Sequence, residues 1–120
     1  MASILLADDD AAVRDLVRRA LTSDGHTVHA TQDGLEASEH FNDNAASIDL
    51  LVTDVDMPQL DGVTLAARAI ALKPSLAVVL MSGFSDQLDR AGKLNAARFA
   101  SIAKPFTLEQ IKKVVRGVLR

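Results

Sequence analysis

Three short apolar runs, each cut off abruptly by polar residues, constrain this chain more than any other feature. Ile4-Leu5-Leu6 runs into Asp8-Asp9-Asp10, the segment 49–54 (DLLVTD) closes in Asp54-Val55-Asp56-Met57-Pro58, and 76–81 is followed by Ser82-Gly83. Runs this short, without polar alternation, suit strands buried on both faces. Pro58 cannot extend its strand inside a sheet, so the run before it must stop there. Two weaker segments read the same way: Thr27 to Thr31, and Phe99 to Ala103, which ends at Lys104-Pro105.

Between these runs the period changes to that of a helix. Val13, Leu16, Val17, Ala20 and Leu21 predict a helix over 11–24, with Asp10 or a neighbour as N-cap and Gly25 as its stop. Asp33-Gly34 turns into a second helix around Leu35, Ala37, Ser38 and Phe41, and the polar stretch Asn42 to Ser47 reads as a loop. Asp61-Gly62, assigned wholly to structure, leads into the stripe Val63, Leu65, Ala66, Ala69, Ile70 and Leu72, which must end before Pro74. A fourth helix is predicted over 85–96. In the last, Thr107 and Gln110 form a capping box ahead of Leu108, Ile111, Val114, Val115, Val118 and Leu119. Five strands alternating with five helices over short connections specify an α/β chain, a parallel sheet wound with helices on both faces, in one domain over 1–120.

Composition excludes several chemistries. With 120 residues, 48% apolar and 24% charged, the chain has the make-up of one globular unit. It has no cysteine, so disulfides, thiolate nucleophiles, thiolate zinc sites and iron–sulfur clusters are ruled out, and the expected location is cytoplasmic. The N-terminal apolar run is too short for a signal peptide or a membrane span. A net charge of −3 with only four aromatics, all Phe, argues against a nucleic-acid surface.

A parallel sheet brings the C-terminal ends of its strands to one edge, where open α/β folds bind their ligands. That edge collects Asp8 and Asp9, Asp54, Ser82 and Lys104, while the second strand adds only Thr31 and Gln32. Crowded carboxylates raise one another's pKa unless a cation neutralises them, and an oxygen-only set suits Mg²⁺. Lys104 supplies a positive charge for a phosphate and Ser82 a hydroxyl donor. Together these are the parts of a phosphoryl-transfer site, in which an Asp carboxylate can be the nucleophile.

The chain resembles, end to end, the receiver domain of two-component response regulators. ILLADDD, DLLVTDVDMPQLDG, VVLMSGF and KPF occur in the family order, with 45 residues from Asp9 to Asp54, 28 from Asp54 to Ser82 and 22 from Ser82 to Lys104. The resemblance implies the CheY-like doubly wound fold with strand order 2-1-3-4-5. It implies that Asp54 is the phosphoacceptor, Asp9 a direct Mg²⁺ ligand, and Asp8 an acid that reaches the metal largely through water. Asp56 would ligate through its backbone carbonyl. Ser82 matches the switch hydroxyl and Lys104 the lysine that pairs with the phosphate, with a cis peptide before Pro105. The implied partners are a histidine kinase or histidine phosphotransfer protein and a downstream effector protein, with no nucleic acid and no membrane, the chain being a monomer or a weak phosphorylation-dependent dimer. A narrower similarity, in ILLADDD, DVDMP and MSGF, is to stand-alone receivers that act as adaptors in regulated proteolysis; MSGF-type receivers also occur within hybrid histidine kinases.

Three positions depart from the family pattern. Ser101 stands where many relatives carry the aromatic switch residue, Asp56 adds an acid two residues after Asp54, and Ser82 replaces the commoner Thr. Two rival readings share parts of this pattern. DVDMP fits the Asp-x-Asp core of haloacid-dehalogenase-type phosphatases, but those enzymes place their metal-binding acid pair late, and here Asp8-Asp9 come first. A pseudo-receiver that binds partners without phosphorylation conflicts with the complete acidic set. Singly, Asp8 and Asp9 could be helix N-terminal acids and Ser82-Gly83 or Lys104-Pro105 mere turns. His26, His29 and His40 show no metal-ligand spacing beyond the pair His26 and His29, which three residues apart on a strand face opposite sides, so solvated or edge positions are expected. Phe84 and Phe106 are expected in the core, with a partner-facing surface as the alternative.

Overall fold

The computed structural model describes residues 1–83, 94 and 96–120. Five strands form one sheet: β1 (Ser3–Ala7), β2 (Thr27–Thr31), β3 (Leu50–Asp54), β4 (Ala77–Ser82) and β5 (Arg98–Ala103). Every pairing is parallel and the order is β2-β1-β3-β4-β5, the order that the resemblance implied. Four helices are described: α1 (Ala11–Ser23), α2 (Gly34–Asn44), α3 (Gly62–Leu72) and α4 (Leu108–Leu119). The helix expected over 85–96 and the placement of Phe84 lie outside the described residues, apart from positions 94 and 96.

The period of the pleat sends alternate residues of each strand into two separate cores. Ile4, Leu6, Leu50, Val52, Val79 and Met81 pack against Val17, Ala20 and Leu21 of α1 and Ile111 and Val115 of α4. Leu5, Leu51, Val78 and Leu80 face the other way, onto Ala37 and Phe41 of α2 and Leu65, Ala66 and Ala69 of α3. This double cover explains the sequence pattern: β3 and β4 are buried at every position, whereas the edge strands β2 and β5 are mostly exposed or half-buried. Leu72 and Leu108, counted in the apolar stripes, sit at helix ends and are 59% and 41% exposed.

Helix boundaries follow their caps. Asp10 accepts from the amides of Ala12 and Val13, Asp33 from Glu36, and Asp61 from Thr64, and Thr107 and Gln110 complete the expected capping box. Gly25, after α1, has φ +92°, which only glycine adopts without strain. The loop expected over 42–47 is corrected: α2 continues to Asn44 and a 3₁₀ turn (Ala45–Ser47) follows. Asn42, Asp43 and Asn44 are polar because they occupy the solvent side of the last turn, where Asn44 Nδ2 donates to the His40 carbonyl at 2.9 Å.

Candidate functional site

Strand register assembles the rim. Ala7 pairs with Thr53, so Asp8 and Asp54 follow on neighbouring strands at the same level. Asp54 pairs with Met81, placing Ser82 one residue beyond it, and Ser82 pairs with Ala103, so that Lys104 comes next. The Lys104 amide donates to the Ser82 carbonyl at 2.7 Å, and the Lys104–Pro105 peptide is cis.

Asp8 and Ser82 are fully buried and Asp54 is 6% exposed. Buried carboxylates need partners. Lys104 Nζ lies 3.0 Å from Asp8 Oδ2 and 3.1 Å from Asp54 Oδ1, bridging the two strand ends. Asp8 Oδ1 also accepts from the Asp10 amide at 2.9 Å, and the Asp8 amide donates to the Thr31 carbonyl at 3.2 Å. Asp9 stands exposed on the rim. Each of Asp8, Asp9 and Asp54 offers a carboxylate oxygen within 4.8 Å of the others. Asp56 is exposed in the loop after β3, and its side chain is outside that group.

The electrostatics are unbalanced. Burial pushes the Asp54 carboxyl up to about 6, the Asp8 charge adds to the rise, and Lys104 opposes it. Burial likewise raises Asp8 above the ordinary carboxylate range, against the pull of the Asp10 amide and Lys104. For Lys104, burial disfavours the ammonium, but hydrogen bonds and charges from Asp8 and Asp54 outweigh it and hold the pKa above its usual value. Among the described residues, three carboxylates thus gather around the ammonium of Lys104. Such an oxygen-only, net-negative set fits a hard divalent cation, Mg²⁺ in particular, and lacks the nitrogen or sulfur donors that would favour zinc.

The β3–α3 loop is pressed against Asp54. A Cβ on Gly62 would lie 2.0 Å from the Asp54 carbonyl oxygen, so only glycine lets α3 start this close; the Gly62 amide donates to the Val55 carbonyl at 2.8 Å. Asp61-Gly62 is therefore structural, as expected, and also backs the rim, a role signalled in the sequence only by its distance from Asp54. Between Pro58 and Leu60 a three-residue turn closes with the Leu60 amide on the Pro58 carbonyl at 2.8 Å and Gln59 at φ +71°. Arg14, which the sequence reading passed over, donates from Nη1 to the Asp8 carbonyl at 2.9 Å. Ser101 is exposed on β5, with no aromatic at that position. Phe106 is half-buried and, with Val13, Leu16 and Pro105, lines an open apolar cleft of about 500 Å³ beside Lys104.

The histidines lie away from the rim. His29 on β2 and His40 on α2 stack with ring centroids 3.7 Å apart, and His26 Nδ1 accepts from the Ala2 amide at 3.0 Å. Among the described residues, no helix is long and apolar enough to cross a membrane.

Comparison with known proteins agrees with this architecture. The family model for the response regulator receiver domain matches residues 4–116. Sensor kinase CckA of Brucella abortus is 35% identical over 118 residues, which is 98% of this chain and 12% of that one. Response regulator MprA of Mycobacterium ulcerans is 35% identical over 117 residues, covering 98% of this chain and 50% of the relative. The chain thus spans half or less of the length of these relatives. A response regulator receiver domain protein from Clostridium thermocellum superposes with a TM-score of 0.88 at 29% identity, covering 99% of this chain and 94% of the other. Sheet order, rim and a match over nearly the whole length converge, and the chain belongs to the receiver-domain family of two-component response regulators, with the CheY-like fold.

Proposed function

We propose that this domain accepts a phosphoryl group on Asp54 from the phosphohistidine of a histidine kinase or histidine phosphotransfer protein, and that the modification switches a surface read by a downstream effector protein. The observation that carries this reading is the placement of Asp54: a nearly buried carboxylate at a strand end, 3.1 Å from Lys104 Nζ and within 4.8 Å of two further carboxylates. Asp8, Asp9 and Asp54, with the Asp56 carbonyl, would hold Mg²⁺, which when bound offsets the negative charge of the phosphoryl oxygens.

The chain's own residues do the rest. An oxygen of the Asp54 carboxylate attacks phosphorus in line, the P–N bond to the donor imidazole breaks, and the electron pair leaves with the imidazole, which takes up a proton. Lys104 stays beside Asp54 and pairs with the transferred group, exchanging part of its contact with the carboxylates for one with a phosphoryl oxygen. Ser82, buried at the end of β4, donates its hydroxyl to the same group, drawing the end of β4 toward it and biasing the domain toward its partner-binding form. The apolar cleft beside Lys104 offers the donor protein a surface next to the nucleophile. Hydrolysis reverses the state: water attacks phosphorus, the P–O bond to Asp54 breaks, and inorganic phosphate leaves.

Intact mass after incubation with Mg²⁺ and a small-molecule phosphodonor tests this. One phosphoryl adduct is expected on the wild type, and none on Asp54→Asn or after chelation. An unmodified wild type under conditions where the metal binds would make the domain a phosphorylation-independent binder instead.

A further inference from the structure

Of the three clustered carboxylates, Asp9 is the exposed one, and among the described residues its carboxylate takes part in no hydrogen bond or ion pair. No side-chain contact holds it, so the region its rotamers can reach is set by where its backbone stands, and first of all by the peptide that joins it to Asp8. That peptide is held from outside the strand. Arg14, four residues into α1, is half-buried and donates from Nη1 to the Asp8 carbonyl at 2.9 Å, beyond the last ladder pair of β1. Side chains on a helix lean toward its N-terminus, which directs this guanidinium back over the β1–α1 turn. The same turn is pinned by the Asp10 amide on Asp8 Oδ1 and by the Arg14 amide on the Asp10 carbonyl, each at 2.9 Å.

We propose that Arg14 is a positioning residue for the divalent-cation site: by fixing the Asp8–Asp9 peptide it keeps the Asp9 carboxylate turned toward Asp8 and Asp54. The inference rests on the metal reading given above. It also has a sign that separates it from simple electrostatics. A guanidinium near a cation site repels the cation, so if Arg14 acted through its charge, its removal would tighten metal binding. If it acts by position, removal weakens binding.

The test is Mn²⁺ titration, followed by the electron paramagnetic resonance signal of the free ion, on wild type, Arg14→Met and Arg14→Lys. Arg14→Met is expected to bind Mn²⁺ about tenfold more weakly, the usual effect of losing an outer support of a metal ligand. Arg14→Lys, which keeps a donor, recovers most of the loss. The Mg²⁺ concentration for half-maximal phosphoryl uptake should rise by the same factor in Arg14→Met, with the rate at saturating metal unchanged. In the metal-free protein, the amide resonance of Asp9 should shift in Arg14→Met while that of Arg116 stays in place. Should Arg14→Met not fold, Arg14→Gln, too short to reach the carbonyl, replaces it. Binding by the variant that is equal to or tighter than wild type overturns the proposal. A wild type that binds no Mn²⁺ overturns the metal reading itself, and this inference with it.

Discussion

Asp54 is a nearly buried carboxyl at the rim, held against both its burial and a neighbouring like charge. Burial and the neighbouring Asp8 raise its pKa to about 6, so between its unfolded value near 3.8 and about 6 the folded chain holds a proton that the unfolded chain releases. The folded state then binds more protons than the unfolded one, and this residue's contribution to stability falls as pH rises through that window. By pH 7.5 the deficit is on the order of 3 kcal/mol. Asp54→Asn is therefore expected to be more stable than wild type by about that amount at pH 7.5 in chelator, with the difference vanishing near pH 4, as measured by urea unfolding at both pH values. The type of residue here was legible from its place at the end of an apolar strand. Its tension was not, because it depends on Asp8 and Lys104, which are 46 and 50 residues away in sequence.

Among elements, the corner where α2 passes through its 3₁₀ turn into β3 shows how a long side chain can decide a boundary. Lys73, at the end of α3, donates from Nζ to the carbonyls of Ala45, Ala46 and Ile48 at 3.0, 3.3 and 2.5 Å. The Ala45 carbonyl also accepts from the Ile48 amide at 3.3 Å, and the ammonium adds a charged donor to all three carbonyls at this helix end. Lys73→Met keeps most of the apolar stem and removes the donor; a loss on the order of 1–3 kcal/mol is expected, seen as a lower urea midpoint with an unchanged slope. This corner is not legible in the sequence, because polar residues at 42–47 look alike in a loop and on the outer side of a final helical turn. The caps fared differently. Asp10, Asp61 and the Thr107–Gln110 box act over three residues or fewer, and each lies where local pattern put it.

For the molecule as a whole, the sheet concentrates like charge at one rim, where among the described residues Lys104 pairs with two of the carboxylates. A cation that binds only the folded arrangement must therefore stabilise all of it. Mg²⁺ at a hundred times its dissociation constant is expected to add about 2.7 kcal/mol of stability. The gain should be larger at pH 7.5 than at pH 5, where Asp54 is largely protonated, and Asp9→Asn should remove most of it. The chain has neither Trp nor Tyr, so circular dichroism is the suitable readout. A Mg²⁺ response of equal size at both pH values would place the ion elsewhere.

The alternation of buried runs with helical stripes determined an α/β sandwich, and the polar residues closing those runs determined what its rim contains, because strand period, caps and turns act over a few neighbouring residues. The sheet order followed from the family resemblance of four motifs rather than from periodicity. Tertiary structure alone decided the contacts that depend on register and on how each crossover packs. These are the reach of Lys104 to two strand ends, the seat of Gly62 against the Asp54 carbonyl, the stacking of His29 on His40, and the bond from Arg14 to the Asp8 carbonyl. A distance of 3 Å between residues on different elements is set by the packing of both cores, and no short window of sequence carries that information.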